Sequence, residues 1–251
     1  MSRLAGKVGV ITGAAGGIAS AAARAFVAEG AKVGLIDRPE TALDQLAAQL
    51  GHAAIALPCD VRDEAQVHAA MARFGTLHGR ADFLYVCAGR QLHGADGPVA
   101  EVTLETWQET MAVNLTGAFL TVKHGIGLLC AAGSGSLLLC GSPTGLSMAG
   151  AGYTAYSASK AGMMSLARTV AADYAARGVR ANVIVPGTTV TPLIDSLLAD
   201  PPTQSELIAG APIGRLGTPE ELTGIAVFLA SNESRYATGA TFCVDGGMTQ
   251  R

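Results

Sequence analysis

Residues 152–163 place a tyrosine and a lysine four positions apart, Tyr156 and Lys160, among alanines, serines and glycines. In a helix, residues i and i+4 lie on one face about 5–6 Å apart, so the lysine ammonium would stand beside the phenol. A neighbouring positive charge favours the phenolate and lowers the phenol pKa from about 10 toward neutral pH, which suits proton transfer. A buried helix with an ordinary surface lysine would show the same pair. Features elsewhere in the chain are therefore needed to choose between the catalytic and the purely structural interpretation.

The composition indicates a large core and few charges. Of the 251 residues, 49% are hydrophobic and 15% are charged, which suits one large α/β domain. The formal charge of −3 and the lack of a basic cluster predict no nucleic-acid partner.

The five cysteines show no paired short spacing, so no metal site is predicted and a reducing compartment is expected. The N-terminal segment lacks the long apolar run of a signal peptide, and no stretch is predicted to be long enough to span a membrane. We therefore expect a cytoplasmic protein with no membrane partner.

Short apolar segments and helical patterns alternate along the whole chain. KVGVIT, KVGLID and GSLLLC, for example, predict buried strands, and helical patterns lie between the strands. This alternation predicts a doubly wound, Rossmann-like parallel sheet with helices on both faces and ligands at the carboxyl ends of the strands. No linker or repeat divides residues 1–251, so a single domain is predicted. The least regular region, about 190–218, is predicted to be a mobile substrate flap.

The sequence TGAAGGIA at residues 12–19 lies between the first strand and its helix. Gly13 and Gly17 would let the backbone turn tightly and approach a pyrophosphate at the helix N-terminus. Asp37 ends the second strand, where an acid can hydrogen-bond the adenosine ribose and repel the 2′-phosphate of NADP. Dinucleotide binding with NAD preferred is therefore predicted. Two alternatives stay open: Arg38 could bind that phosphate, and Asp37 could simply begin the following turn.

Over essentially its whole length, the chain resembles the short-chain dehydrogenase/reductases. TGAAGGIA is similar to their Thr-Gly-x-x-x-Gly-x-Gly turn, CDV at 59–61 to their adenine-contacting Asp-Val, and CAG at 87–89 to their Asn-Ala-Gly. YSASK at 156–160 resembles their Tyr-x-x-x-Lys, and PGTTVTP at 186–192 their Pro-Gly segment beside the nicotinamide. TPEELTGIAVFLAS and ATGATFCVDGG are similar to their C-terminal stretch. Each motif is modest alone, whereas their order and spacing together are specific.

The resemblance implies a set of cofactor-binding residues. They are Gly13, Gly17, Ile18, Asp37, Asp60, Val61, Cys87, Ala88, Gly89, Tyr156, Lys160, Pro186, Gly187, Thr189 and Thr191. Three departures from the family pattern concern this set. Ala19 replaces the third glycine of the turn, Val86 and Cys87 replace two asparagines, and Thr189 stands where an aliphatic residue is usual. They alter contacts to the cofactor and leave the catalytic groups untouched.

The same resemblance implies a catalytic set of Asn114, Ser142, Tyr156 and Lys160. Tyr156 would take the hydroxyl proton of an alcohol in one direction and protonate a carbonyl oxygen in the other. Lys160 would lower the pKa of Tyr156 and hold the nicotinamide ribose, Ser142 would hydrogen-bond the reacting oxygen, and Asn114 would hold a water that links Lys160 to solvent. Tyr153 lacks a lysine at its i+4 position and is expected to line the substrate pocket or only to pack.

The flap is apolar and has no lysine or arginine before Arg215, which favours a neutral, fairly apolar secondary alcohol or ketone as substrate. Arg90 could supply a positive charge from the opposite loop, where His93 is expected to be solvated. The predicted function is an NAD(H)-dependent alcohol/ketone oxidoreductase, and the family resemblance implies a homotetramer. The alternatives are an NADPH-dependent carbonyl or 3-oxoacyl reductase and a non-catalytic dinucleotide-binding regulator.

Overall fold

The computed structural model describes residues 2–147 and 152–250. Seven strands within these ranges form one sheet in which every neighbouring pair is parallel. The strands are β1 (Val8–Thr12), β2 (Lys32–Asp37), β3 (Ala54–Pro58), β4 (Phe83–Val86), β5 (Ser136–Cys140), β6 (Arg180–Pro186) and β7 (Thr241–Val244). Their order is β3-β2-β1-β4-β5-β6-β7, so the winding reverses between β1 and β4 and opens a crevice at the carboxyl ends there.

Helices cover both faces of this sheet. In the described ranges they are α1 (Gly17–Ala28), α2 (Leu43–Leu50), α3 (Glu64–His78), α4 (Leu104–Met111), α5 (Gly117–Ala131), α6 (Pro143–Leu146), α7 (Thr154–Tyr174), α8 (Asp195–Leu198), α9 (Pro201–Gly210) and α10 (Thr223–Ala230). The helices α1, α2 and α10 bury apolar residues against one face, and α3, α5 and α7 against the other. The predicted doubly wound fold is confirmed.

The strands are apolar at almost every position because both of their faces are buried. Successive residues of β4 show this alternation: Phe83 belongs to the apolar cluster under α1, and Leu84 belongs to the cluster under α3 and α5. Both side chains are fully buried. A parallel sheet covered on two sides produces this near-continuous apolar pattern, which is why the strands could be predicted from short sequence runs.

The sequence predicts one long helix from about Leu104, but the structure divides it. A π-helical turn, Ala112–Thr116, separates α4 from α5. The turn carries Asn114, whose buried side chain makes its hydrogen bonds outside the helix. Such single π turns recur at functional sites because they redirect one side chain without ending the helix.

The sequence analysis expected no segment long enough to span a membrane. Judged by length and composition alone, one helical stretch contradicts that expectation. The continuous helical stretch Leu104–Ala131 has 28 residues and is apolar enough to pass such a test. About 44% of its most apolar window is buried inside the protein, and α5 contributes to the core between α3 and the sheet. The core helix of a globular fold passes the same test, so this stretch is weak evidence for a membrane span.

The region about 190–218, predicted to be the least regular, is largely helical. It contains a 3₁₀ turn (Pro192–Ile194) followed by α8 and α9. Pro201 opens α9 at a position where its missing N–H costs nothing, and the Asp200 side chain accepts a hydrogen bond from the Thr203 N–H at 3.2 Å. The sequence DPPTQ therefore starts a helix, and the prediction that this region is irregular is wrong here.

Candidate active site

A cleft of about 710 Å³ lies at the carboxyl ends of the strands, where the winding of the sheet reverses. Its volume is in the range of known cofactor and small-molecule sites. All the residues predicted to bind the cofactor line this cleft, together with the predicted catalytic residue Ser142. Asn114 is fully buried and stands behind the lining. The structure thus brings the predicted residues together at one place.

The glycine-rich turn forms one end of the cleft. Gly13 has a φ of 66°, which favours glycine, and a methyl group there would lie 2.7 Å from the Cα of Ala88. The helix α1 begins at Gly17, and its N-cap Gly16 has no side chain to accept hydrogen bonds from the first-turn amides. These amides and the positive end of the helix dipole favour a phosphate group. The residues present therefore fit the pyrophosphate of a dinucleotide.

Asp37 lines the cleft at the carboxyl end of β2. Its carboxylate accepts hydrogen bonds from the Ala15 N–H at 2.9 Å and from the Arg38 N–H at 2.8 Å. The bond to Ala15 braces the glycine-rich turn, a role that sequence reasoning did not foresee. The Arg38 guanidinium pairs with Glu40 at 3.0 Å on the exposed surface. The acid predicted to favour NAD is therefore held in position. Arg38, which the alternative interpretation would use to bind the 2′-phosphate, already has an anionic partner.

Asp60 and Val61 follow β3 on the same side of the cleft. The Arg62 guanidinium binds the Asp60 carboxylate, with Nη2 2.6 Å from Oδ2, and this hydrogen bond lowers the pKa of Asp60. Val61 is buried, and a methyl group at Gly117 would lie 2.7 Å from its Cγ2. Val61 is therefore held against α5, while the Asp60 carboxylate has a partner within the protein.

Thr12 fixes the backbone of the segment in which the sequence departs from the family pattern. Its Oγ1 accepts hydrogen bonds from the N–H groups of Cys87 and Ala88, at 3.2 and 3.3 Å. Ala19 is buried where α1 meets the sheet, so its extra methyl fits this contact. The Thr189 hydroxyl donates to the Gly187 carbonyl at 2.9 Å and is satisfied locally. The structure therefore accommodates the departures: the Cys87 amide and the Thr189 hydroxyl both have hydrogen-bond partners.

Tyr156 and Lys160 lie one turn apart on α7 and reach the inner end of the cleft. Tyr156 is half-buried and Lys160 is only 3% exposed. The Lys160 Nζ lies 5.6 Å from the centroid of the Tyr156 ring and donates a hydrogen bond to the Cys140 carbonyl at 2.8 Å. The lysine is therefore a buried charge that faces the phenol, and the surface-lysine interpretation is wrong.

Burial raises the pKa of Tyr156 above its usual value, while the Lys160 ammonium and the nearby Ser142 hydroxyl act to lower it. The predicted effect of Lys160 thus has the right direction, but the expected net lowering is wrong for the protein alone. Burial also disfavours the Lys160 ammonium, yet the negative charges that Tyr156 and Cys140 carry when ionised raise the pKa of Lys160 overall. Each member of the pair is therefore stabilised in its charged form by the other.

Ser142 stands at the N-cap of α6, immediately beyond the end of β5. Its Oγ lies 3.0 Å from the Thr144 Oγ1 and accepts a weaker hydrogen bond from the Thr144 N–H at 3.3 Å. This contact holds the hydroxyl on the cleft lining near Tyr156. Two hydroxyl groups thus converge on a place that an alcohol or carbonyl oxygen can occupy.

Asn114 links the loop after β4 to the helix α7. Its Oδ1 accepts from the Arg90 N–H at 2.8 Å, and its Nδ2 donates to the Arg90 carbonyl and to the Ser159 Oγ, both at 3.0 Å. A methyl group on Gly89 would lie 3.4 Å from the Lys160 Nζ and 3.5 Å from the Asn114 Oδ1. Glycine therefore leaves space between these two atoms. The predicted water between Asn114 and Lys160 stays a prediction that this space can accommodate.

Asp96 is a positioning residue that sequence reasoning missed. Its buried carboxylate accepts hydrogen bonds from the Ala155 N–H at 3.0 Å and from the Tyr156 N–H at 2.9 Å. The N-cap of α7 is Tyr153, which provides no side-chain hydrogen bond of its own. A distant aspartate therefore caps the helix that carries Tyr156 and Lys160. The only signal in the sequence was that Tyr153 is a poor capping residue.

His93 connects the loop after β4 to the flap. Its Nε2 lies 3.1 Å from the Leu193 carbonyl oxygen, and its ring packs edge-on against Tyr153 with the centroids 6.3 Å apart. His93 is half-buried, so the expectation of a solvated loop histidine is wrong. Tyr153 lines the cleft, as one of its two predicted roles requires.

Comparison with known proteins gives a consistent result. A family model described as enoyl-(acyl carrier protein) reductase matches residues 13–249. An inactive 2-(S)-hydroxypropyl-CoM dehydrogenase 2 of Xanthobacter autotrophicus is 41% identical over 235 residues, 90% of this chain and 99% of that protein. The cis-4-hydroxycyclohexanecarboxylate dehydrogenase of Sinomonas cyclohexanicum is 39% identical over 245 residues, with 97% and 96% covered.

A solved structure has the same fold. The gluconate 5-dehydrogenase of Burkholderia cenocepacia J2315, in complex with NADP and tartrate, aligns with a TM-score of 0.93 and 33% sequence identity, covering 99% of this chain and 97% of that one. Fold, cleft and relatives together define a dinucleotide-dependent oxidoreductase. The chain belongs to the short-chain dehydrogenase/reductase family.

Replacing Asp96 tests whether the cap positions Tyr156. We expect Asp96→Ala to lower the free energy of unfolding by about 0.5–2 kcal/mol, since two amides lose their acceptor. Turnover should fall as well, because the first turn of α7 carries Tyr156. Asp96→Asn keeps one acceptor oxygen, so its stability and its kcat should lie between those of the unmodified protein and of Asp96→Ala. Chemical denaturation and steady-state kinetics measure both effects. Unchanged kcat in Asp96→Ala would contradict the positioning role.

Proposed function

We propose that the protein is an NAD-dependent dehydrogenase that interconverts a neutral, fairly apolar secondary alcohol and its ketone. One observation carries this proposal. Tyr156, Lys160 and Ser142 meet at one end of a cleft whose other end contains the glycine-rich turn and Asp37. The proton-transfer groups and the dinucleotide-binding groups therefore share one continuous space.

Each residue at the inner end of the cleft has its own role in the proposed chemistry. A bound nicotinamide supplies or accepts the hydride at the carbinol carbon. Ser142 hydrogen-bonds the reacting oxygen, and Tyr156 accepts the hydroxyl proton during oxidation or returns it during reduction. Lys160 stabilises the phenolate electrostatically from its buried position beside the ring. Asn114 holds the loop after β4 against α7, so that these groups keep their relative positions.

Replacing Tyr156 tests the proton-transfer role, and Tyr153 provides the matched control. We expect Tyr156→Phe to lower kcat by at least ~10²-fold, the lower end for loss of a general acid/base, while NADH binding is retained. Tyr153→Phe changes the other tyrosine of the cleft and should lower kcat far less. Steady-state assays and fluorescence titration with NADH measure the two effects. Equal losses in both variants would show that Tyr156 has no special role.

The pH dependence gives a second readout on the same variants. Because burial raises the pKa of Tyr156, the phenol is protonated at neutral pH in the protein alone. Alcohol oxidation needs the base form, so its kcat/KM should increase as the pH rises above neutrality, whereas ketone reduction should not. The residual activity of Tyr156→Phe should lack this increase.

The preference for NAD rests on charge at the ribose end. Asp37 offers a carboxylate that the Ala15 amide holds in place, and Arg38 has Glu40 as its partner. A 2′-phosphate would approach the Asp37 carboxylate, whereas a ribose hydroxyl can donate a hydrogen bond to it. The competing interpretation is an NADPH-dependent reductase. It is favoured by the presence of Arg38 and by the NADP in the gluconate 5-dehydrogenase structure.

We expect NAD to exceed NADP in kcat/KM by at least ~10-fold, which corresponds to about 1.4 kcal/mol. Asp37→Asn keeps an oxygen that can accept the Ala15 hydrogen bond but removes the charge, so it should narrow or reverse the preference. Arg38→Ala should leave the use of NAD unchanged. Both cofactors are compared at fixed alcohol concentration. Better use of NADP by the unmodified protein would refute the role given to Asp37.

The proposed substrate class follows from the lining of the inner cleft. Apolar side chains from the flap and the C-terminus dominate it: Leu193, Ile194, Leu197, Leu207 and Met248. Arg90 also lines the cleft, but its guanidinium forms an ion pair with Glu109, which offsets its charge. A neutral molecule is therefore a better match than an anion. The relatives include a D-threitol dehydrogenase of Mycolicibacterium smegmatis, whose name specifies a neutral polyol.

A pair of substrates with equal ring size tests this inference. Cis-4-methylcyclohexanol and cis-4-hydroxycyclohexanecarboxylate differ in a methyl group and a carboxylate. We expect the neutral alcohol to have the higher kcat/KM by roughly tenfold or more, because the carboxylate would lie among apolar flap side chains, where the Arg90 guanidinium is already paired with Glu109. NADH formation follows the reaction. A preference for the carboxylate would refute the neutral substrate class without affecting the catalytic assignment.

The non-catalytic alternative is less well supported. One relative is named as inactive, so loss of activity does occur among similar proteins. Here, however, Ser142, Tyr156 and Lys160 line one cleft, and Asn114 is bonded behind them. A regulator that only binds a dinucleotide would not need this arrangement.

A further inference from the structure

Two cysteines occupy neighbouring positions at the floor of the cleft. Val86, the last residue of β4, pairs with Leu139 of β5, so the next residue of each chain segment brings Cys87 beside Cys140. Neighbouring parallel strands lie about 4.8 Å apart, which falls within the Cα separations of roughly 4.4–6.8 Å that disulfides allow. Both side chains belong to the apolar cluster on the α1 side of the sheet. The two thiols therefore stand on the same face at adjacent positions.

The surroundings of the pair are polar in an otherwise apolar cluster. The Tyr85 side chain is two residues before Cys87 and fully buried, and its hydroxyl has no hydrogen-bond partner of normal geometry in the described chain. Burial raises the pKa of this phenol, and the nearby thiols of Cys87 and Cys140 raise it further. On the other side, the Lys160 ammonium donates to the Cys140 carbonyl. Two thiols, a phenol and an ammonium are thus collected in one place.

The two thiols differ in acidity. The neighbouring Cys87 thiol lowers the pKa of Cys140 to about 7 against the effect of burial, and the Lys160 ammonium acts in the same direction. The neighbouring Cys140 thiol, together with burial, raises the pKa of Cys87 well above its usual value. Cys59, by contrast, has its pKa raised to about 12 by burial and by Asp60. One thiolate next to one thiol is the arrangement from which a disulfide forms most readily.

We propose that Cys87 and Cys140 form an oxidation site in which a peroxide converts the two thiols to a disulfide and thereby weakens dinucleotide binding. Both cysteines line the cleft, so a small peroxide can reach them from solvent. The formation of the disulfide is independent of the substrate and the cofactor preference proposed above.

The oxidation proceeds in two steps. The Cys140 thiolate attacks one oxygen of hydrogen peroxide, the O–O bond breaks, and with one proton the products are a sulfenic acid and water. The Cys87 thiol then attacks the sulfenic sulfur, the S–S bond forms, and the hydroxyl leaves as a second water with the thiol proton. Two thiols lose two electrons and two protons in total, and one peroxide is reduced to two waters.

The consequence for binding follows from what the two cysteines hold. The Cys87 N–H bonds to Thr12, and the next residue, Ala88, touches the backbone of Gly13 in the glycine-rich turn. Forming the S–S bond brings the two sulfur atoms to about 2.0 Å from each other, so it pulls on the Cys87 side chain and thereby on the segment 87–89. The Cys140 carbonyl holds the Lys160 ammonium, so movement of Cys140 also shifts that charge. The disulfide therefore disturbs both ends of the dinucleotide site.

The test uses the purified full chain before and after hydrogen peroxide. Free thiols are blocked by alkylation, and a non-reducing digest is analysed by mass spectrometry. NADH binding is measured by fluorescence titration on the same samples. We expect a peptide linked through Cys87 and Cys140, an increase in the Kd for NADH of roughly tenfold or more, and reversal of both by dithiothreitol.

Single variants provide the controls, each compared with itself before and after peroxide. Cys87→Ser and Cys140→Ser should form no linked peptide and should keep their own NADH affinity after treatment. Cys59→Ser should still form the link, because its thiol lies outside the pair. Oxidation confined to Cys243, or Cys140 trapped as sulfinic acid without a link to Cys87, would overturn the proposal. So would a Cys87–Cys140 link that leaves NADH binding unchanged. Loss of alcohol turnover alone would not support it, so a failure of the proposed function remains distinguishable.

Discussion

The active end of the cleft is arranged around one buried positive charge, the ammonium of Lys160. Burying an isolated ammonium is costly unless hydrogen bonds and opposite charge compensate it. Its hydrogen-bond acceptor in the described chain is the Cys140 carbonyl, and the groups that can offer negative charge beside it are the Tyr156 phenol and the thiols of Cys140 and Cys87. None of these is a permanent anion. The charge therefore stabilises whichever neighbour gives up a proton, and this makes the site suitable for proton transfer.

The geometry around this charge depends on contacts between segments that are far apart in the chain. The strand ends of a doubly wound sheet bring the loops after β1, β4, β5 and β6 to one edge. Asn114 then bonds the loop after β4 to Ser159 of α7, and Asp96 from the same loop caps the first turn of that helix. The helix that carries Tyr156 and Lys160 is thus held by a loop that also lines the cleft.

The two ends of the cleft share a short stretch of backbone, residues 87–89. Thr12 bonds it from β1, Gly13 touches it from the glycine-rich turn, and Gly89 leaves the space between Lys160 and Asn114. In this chain a thiol occupies the position where the family has an asparagine side chain, beside a second thiol on β5. Residues 87–89 therefore contact both the glycine-rich turn and the surroundings of Lys160, and the parallel register of β4 and β5 sets Cys87 beside Cys140.

The sequence by itself determined the strands, most of the helices and the order of the motifs, because these depend on local apolar patterns, on glycine and proline, and on the four-residue spacing of Tyr156 and Lys160. The resemblance of its motifs to the short-chain dehydrogenase/reductases also predicted which residues would line the cleft, and strand ends in a parallel sheet bring them to one edge. The tertiary structure alone decided the rest. Burial set the net direction in which the pKa of Tyr156 is shifted, and Glu40 proved to be the partner of Arg38. An aspartate 60 residues away capped the helix that carries Tyr156 and Lys160. Burial and contacts between distant segments arise only when the chain is folded, so no local pattern encodes them.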